Sequence, residues 1–133
     1  MRDYTPRYFD VVAGLLTIDF ALHGLDGDAG PATRWAVNSG IGDDLHIAGP
    51  RGSQLLPDTY EHYVLIGDEA AIPAIARRLE ELPASKTVTV FVEVDDPEYR
   101  LSFASQAQAN VHWVYRQQQS LLHVLSEFPI TTH

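Results

Sequence analysis

The 133-residue chain contains no cysteine. That absence excludes disulfide staples, thiolate metal sites and a cysteine nucleophile. Positive charge is also scarce: 9 lysines and arginines stand against 18 aspartates and glutamates, a formal net charge of −9. This balance opposes general affinity for nucleic acid or an anionic membrane surface. No apolar run approaches the roughly 20 residues of a membrane-spanning helix, and no basic-then-apolar signal segment opens the chain. The default location is the cytoplasm. The six histidines (His23, His46, His62, His112, His123, His133) show neither His-x-x-x-His nor His-Glu-x-x-His spacing, so no protein-bound metal is expected. A Gly-x-Ser-x-Gly elbow is missing too, which removes the serine-hydrolase reading.

What is present is an ordinary globular composition: 45% apolar and 20% charged residues argue against disorder. The length suits one domain or two small ones, with a core that needs no staples. Asp26, Asp28, Asp43, Asp44, Asp95 and Asp96 fall in loop-like stretches and read as solvated turns.

Residues 63–82 organise the rest. The short apolar run at 63–66 is bounded by Gly67-Asp68-Glu69 and predicts a buried strand ending in a tight turn. Ile72, Ile75, Ala76, Leu79 and Leu82 then recur at helical spacing, with Arg77, Arg78, Glu80 and Glu81 on the polar face. A strand feeding a helix through such a turn opens many α/β nucleotide-binding units, whose ligand lies beyond the strand's carboxyl end. The signal is shared with α/β domains of other functions.

Before this stretch, aromatic residues favour a strand within residues 2–10, bent or placed at an edge by Pro6. A connection at 11–14 leads to residues 15–23, whose alternating Leu16, Ile18, Phe20 and Leu22 predict a half-buried antiparallel strand. A Gly- and Asp-rich loop at 24–30 precedes Pro31, the first position of a short helix through residue 37. A short strand is expected at 45–48, a turn cluster at 49–53 and a connector at 55–59. After it, residues 86–94 form a β-branched run suited to a parallel strand buried on both faces, and 111–115 a third strand. A short helix is expected around 98–105 and another over 117–128, closed by Pro129. The change from strands and turns to alternating strand and helix places a boundary near Leu56. The expected class is α/β, an antiparallel part at 1–56 followed by a parallel-sheet part at 57–133.

Several motifs carry a resemblance. They are Arg2-Asp3-Tyr4-Thr5, Ile18-Asp19-Phe20-Ala21-Leu22-His23-Gly24 and Gly30-Pro31-Ala32-Thr33-Arg34-Trp35-Ala36. Gly42-Asp43, Gly49-Pro50-Arg51-Gly52-Ser53, Gly67-Asp68-Glu69 and Pro73-Ala74-Ile75 follow in order. Together they resemble the siderophore-interacting family of flavin reductases, within the ferredoxin-reductase-like superfamily. The resemblance implies a partial antiparallel FAD-binding β-barrel, then part of a parallel-sheet NAD(P)-binding domain. It implies FAD and NAD(P)H as cofactors and a ferric siderophore as the small-molecule substrate, reduced for iron release. By the same resemblance Arg2 would pair with the FAD pyrophosphate, Tyr4 would stack on the isoalloxazine ring, and Thr5 would hydrogen-bond near its reactive nitrogen. His23 and Gly24 would line the cofactor's path by backbone contact. Gly30, Pro31 and Ala32 would offer a helix N-terminus to the pyrophosphate. Gly67, Asp68 and Glu69 would face the nicotinamide, and Arg116, after the third strand, is placed to reach an NADP phosphate.

Two departures accompany the resemblance. The family's barrel has strands before the Arg-x-Tyr-Thr motif, and its closing Trp-x-x-Gly-Glu-like segment has no counterpart after Phe128. The chain is therefore expected to be the middle of a longer reductase. Ala70 also stands where the family often has Thr. Bland readings remain beside these roles: Arg2 and Arg116 as solvated arginines, Tyr4 as a core aromatic, Trp35 as a packing residue, Glu69 as a helix-end charge. The rival from another class is a non-catalytic α/β module that forms a homodimer through unpaired strand edges.

Overall fold

The structure is a computed structural model that describes residues 2–129 apart from Asp26, Ser53 and Leu55. The ends of the expected 49–53 and 55–59 segments therefore lie partly outside the described residues. The chain begins with an antiparallel ribbon of β1 (Pro6–Asp10) and β2 (Leu15–Ile18), followed by helix α1 (Pro31–Asn38). Strand β3 (His62–Asp68) leads through a 3-10 turn (Glu69–Ala71) into helix α2 (Ile72–Glu81). Strand β4 (Thr87–Val94), a second 3-10 turn (Pro97–Tyr99), strand β5 (Gln108–Tyr115) and helix α3 (Leu121–Glu127) complete it. The strands β3, β4 and β5 form a parallel sheet in that order, with β4 in the centre. This is the expected α/β class, an antiparallel piece and then a parallel one.

The valines of β4 explain why the centre holds. Val88, Val90, Val92 and Val94 point to one face and are fully buried. They pack with Ile72, Ile75, Leu79 and Leu82, the stripe that helical spacing placed on one side of α2. Each such side chain contributes about 1.5–3 kcal/mol on removal from water. On the other face Phe91 stacks on His112 at 4.9 Å and meets the edge of Phe128 at 5.0 Å. Burial of β4 on both faces matches its β-branched run.

Five local expectations are corrected. Strand β3 is buried on one face only: Tyr63 is 6% exposed, whereas Val64 and Ile66 are 41% and 48% exposed. It is an edge strand, and the ring of Phe128 after α3 covers Phe91 on the central strand. The expected strand at 15–23 ends at Ile18 and its leucines are exposed, because β1 offers partners only as far as Ile18. Arg2, Tyr4 and Thr5 precede β1 rather than lie in it, and residues 45–48 form no strand. The expected helix at 98–105 shortens to the turn Pro97–Tyr99, capped by the Asp96 side chain accepting from Glu98 N at 2.8 Å. Beyond it the chain is held by tertiary contacts: Phe103 stacks on Trp113 at 5.8 Å, and the Ser105 hydroxyl donates to Leu79 O at 3.0 Å.

The described residues group into two compact units, one from 2–19 and 61–129, the other from 20–60. In the first, α2 anchors the ribbon. Arg7 makes a two-point contact with Glu80 at 3.1 and 2.5 Å, and the Arg77 guanidinium lies 5.6 Å from the Phe9 ring centroid. In the second, Phe20 meets Trp35 at 5.8 Å, the packing role expected for that tryptophan. No helix among the described residues is long and apolar enough to cross a membrane.

Candidate functional site

The carboxyl edge of the parallel sheet begins at Gly67. A Cβ there would lie 2.3 Å from the Ala71 Cβ, so the strand can turn this closely into the helix only without a side chain. Asp68 then closes the turn, its Oδ1 accepting from Ala70 N at 2.9 Å. Glu69 turns back across the sheet end. Its Oε1 accepts from Arg116 Nη1 at 3.0 Å and its Oε2 from Arg116 Nη2 at 2.7 Å, a two-point guanidinium–carboxylate pair.

Arg116 is held from two further directions. Its Nε donates to Glu93 Oε2 at 3.0 Å, and Nη1 also donates to the Asp95 carboxylate. The remaining Glu93 oxygen accepts from Leu121 N at 3.2 Å, and Glu69 Oε1 accepts from Asp95 N at 3.2 Å. The hydrogen bond to Glu69, with those to Asp95 and Glu93, holds the Arg116 guanidinium above its ordinary pKa despite some desolvation. The Glu69 side chain is 12% exposed and Glu93 19%, while Arg116 is 35% exposed. Solvent screening at Arg116 limits the cluster's worth to about 1–3 kcal/mol. Four carboxylates (Asp68, Glu69, Glu93, Asp95) against one guanidinium leave this edge negative.

In the second unit the ligand-competent feature is the start of α1. Gly24 adopts φ +69°, and a Cβ on it would meet Asp28 O at 2.6 Å, so only glycine closes the loop that leads to the helix. Gly30 stands at the N-cap and supplies no side-chain cap; Pro31 follows, and no acidic residue occupies the first turn. The amides at the start of this helix, those of Ala32 and Thr33, therefore meet no acidic side chain of their own turn. This suits an anion. His23 is exposed beside Gly24. A cavity of ≈ 180 Å³ lies against the same helix, lined by Leu25, Ala29, Thr33, Arg34, Val37 and Asn38.

The structure thus brings Gly67, Asp68, Glu69 and Arg116 together, and places His23, Gly24, Gly30, Pro31 and Ala32 along one loop–helix segment. Arg2, Tyr4 and Thr5 lie just before β1 in no regular element, with Tyr4 39% exposed. Sequence reasoning missed Glu93 and left Asp95 as a solvated turn. The signal was available: both stand at the carboxyl end of β4, beside Arg116 at the end of β5, and strand ends of a parallel sheet converge on one edge. Among the described residues, no group of three or more metal-ligating side chains is arranged to hold an ion. His62 hydrogen-bonds Thr87 at 2.7 Å and Thr89 at 3.2 Å.

Two family models match the chain in succession. Residues 1–54 match the siderophore-interacting FAD-binding domain, and residues 60–132 match the siderophore-interacting protein model. The chain belongs to the siderophore-interacting protein family. A siderophore utilization protein from T. fusca superimposes with a TM-score of 0.86 at 41% identity, covering 98% of this chain and 51% of that one. The NADPH-dependent ferric-chelate reductase of Escherichia coli (strain K12) is 37% identical over 123 residues, 90% of this chain and 46% of that protein. Ferric vibriobactin reductase ViuB of Vibrio cholerae is 33% identical over 115 residues, 86% of this chain and 41% of that protein. The chain thus spans less than half the length of these two reductases. Within the siderophore-interacting family, then, its sequence is similar to part of two proteins named as ferric-chelate and ferric vibriobactin reductases.

Proposed function

We propose that the chain supplies part of a flavin-dependent ferric-siderophore reductase, in which electrons pass from NAD(P)H through FAD to chelated Fe(III) and iron is released. The observation that carries this reading is the order of the two family matches, FAD-binding domain first, over a chain that starts α1 without an acidic cap and ends β3 in the Gly67–Glu69 turn. Residues 1–56 form the FAD-side part and 57–133 the nucleotide-side part in this proposal.

The residues present fit the cofactors. The α1 start at Gly30, Pro31 and Ala32 offers a positive dipole end to a pyrophosphate, with backbone N–H groups from Gly30 and Ala32 and none from the proline. Arg2 brings a permanent positive charge, and Tyr4 and Thr5 an aromatic face and a hydroxyl, for the flavin cofactor. His23 and Gly24 contribute backbone, with the glycine conformation keeping that path clear of a side chain. Gly67, Asp68 and Glu69 line the nicotinamide end, with Arg116 beside them. Bound FAD would supply the link between a two-electron hydride donor and a one-electron metal acceptor. The protein's own task is to hold the donor, acceptor and flavin in line and keep water out. The ferric siderophore is the substrate, and the proposed location is the cytoplasm.

Titration of the purified chain with FAD tests the reading. Flavin uptake, followed by bleaching of its visible absorption on adding NADH or NADPH, is the expected result. A chain that gains no flavin from excess FAD has no such activity. A second reading, self-association through open strand edges, is favoured by the exposure of Tyr8, Phe9, Leu15, Val64 and Ile66 on strands that have an unpaired edge among the described residues. Light scattering across the working concentration range separates it: a monomer throughout removes the homodimer.

A further inference from the structure

Arg116 supports an inference that rests on the cofactor reading above and assigns it a role that reading leaves open. An arginine has five N–H donors in a planar fork. Four of the five are taken in this structure: Nε by Glu93, one Nη by both Glu69 and Asp95, the other by Glu69. A phosphate arriving at Arg116 would have to displace charge-assisted hydrogen bonds and would meet three carboxylates already in place. The same contacts tie together the ends of all three parallel strands. Glu69 follows β3, Glu93 and Asp95 lie at the end of β4, and Arg116 follows β5. Its backbone N also donates to Val94 O at 3.0 Å, so the guanidinium projects from an anchored point.

We propose that Arg116 is a positioning residue, which clasps Glu69, Glu93 and Asp95 to fix the Gly67–Asp68–Glu69 turn as a wall of the nicotinamide site, and that it is not a phosphate anchor. Lysine separates the two roles. It keeps the charge and remains a good partner for phosphate, but its single nitrogen cannot bridge three carboxylates as a fork does.

The test compares the full chain with Arg116→Lys, Arg116→Gln and Glu69→Gln, using amide hydrogen exchange over residues 67–71 and calorimetric titration with NADH and with NADPH. A thermal melt first confirms that each variant is folded, and Glu69→Gln preserves side-chain shape should the arginine variants fail to fold. The clasp predicts that all three variants speed exchange of the turn by about tenfold. It also predicts that they weaken NADH and NADPH by a common factor of about three to ten, leaving the ratio of the two affinities unchanged. Loss of NADPH binding alone in Arg116→Gln, with wild-type NADPH affinity kept by Arg116→Lys, would show a phosphate anchor and overturn the proposal. Unchanged exchange of the turn overturns it as well. A wild-type chain that takes up neither dinucleotide removes the cofactor reading and the nicotinamide wall with it. The exchange data then still decide the clasp independently.

Discussion

The parallel sheet and the segment at 20–60 solve the problem of holding a turn in opposite ways. At the sheet edge, the Gly67–Glu69 turn sits on a strand that pairs with the buried β4 and is fastened by an ionic cluster from three strand ends. Along residues 20–60 only Thr33 among the described residues is buried, and the path into α1 depends on the backbone of Gly24 and on the Arg34 guanidinium bonding to Ala29 O. One turn is held by side chains brought from afar. The other is held by what the local backbone permits. Substitutions should therefore cost stability in the first region through volume and charge, and in the second through backbone geometry.

The widest contrast is between two large aliphatic residues. Leu79→Ala, at a fully buried position, should lower unfolding stability by about 2–5 kcal/mol in urea denaturation. Ile41→Ala, at a fully exposed position in the other unit, should change it by less than about 0.5 kcal/mol. Equal effects would erase the distinction. The glycines sharpen it. Gly67→Ala forces a methyl to 2.3 Å from the Ala71 methyl and should cost about 1–3 kcal/mol by overpacking. Gly24→Ala should cost about 1–3 kcal/mol for a different reason, since φ +69° is strained for alanine and its Cβ would meet a carbonyl. Urea melts report the size, and hydrogen exchange should place the Gly24 effect in residues 24–29 rather than in the sheet.

A small, pH-dependent effect belongs to the ribbon. Its hydrogen bond to Arg7 holds the Glu80 carboxyl below its ordinary pKa, and the Arg7 guanidinium is raised in turn. Because Glu80 is depressed on folding, its contribution is present above the unfolded carboxylate value near ~4.3. It is lost as pH falls through the folded value. Both side chains are about one-third exposed (29% and 38%), so solvent screening should limit the cost of Glu80→Gln to about 0.5 kcal/mol at pH 7 and to nothing in strong acid. Thermal melts of the two proteins across pH 2–7 check this, and a gap that persists at the acid end would show that the ion pair is not its source.

Legibility followed the range of the interaction. Residues 86–94 were readable as a strand because Thr87, Val88, Thr89, Val90, Val92 and Val94 are β-branched and favour extended backbone, and Phe91 gave the face opposite the valines an apolar centre. The α2 stripe and the Pro31 helix start were equally local. Residues 19–23 and 45–48 have the same strand-like composition as β2, yet form no ladder, since a strand needs a partner and none reaches them. The candidate site divided in the same way. Gly67-Asp68-Glu69 was visible as a turn, while the carboxylates that grip Arg116 lie 21 to 47 residues from it along the chain.

Composition excluded thiol chemistry and opposed polyanion binding, and motif order carried the family, because each of these resides in residue identity or in neighbours along the chain. The open face of β3, the docking of the ribbon on α2 and the closure of Arg116 by three acids appear only in the folded molecule. Their energies arise from groups far apart in sequence, and no local propensity records which distant partner will arrive.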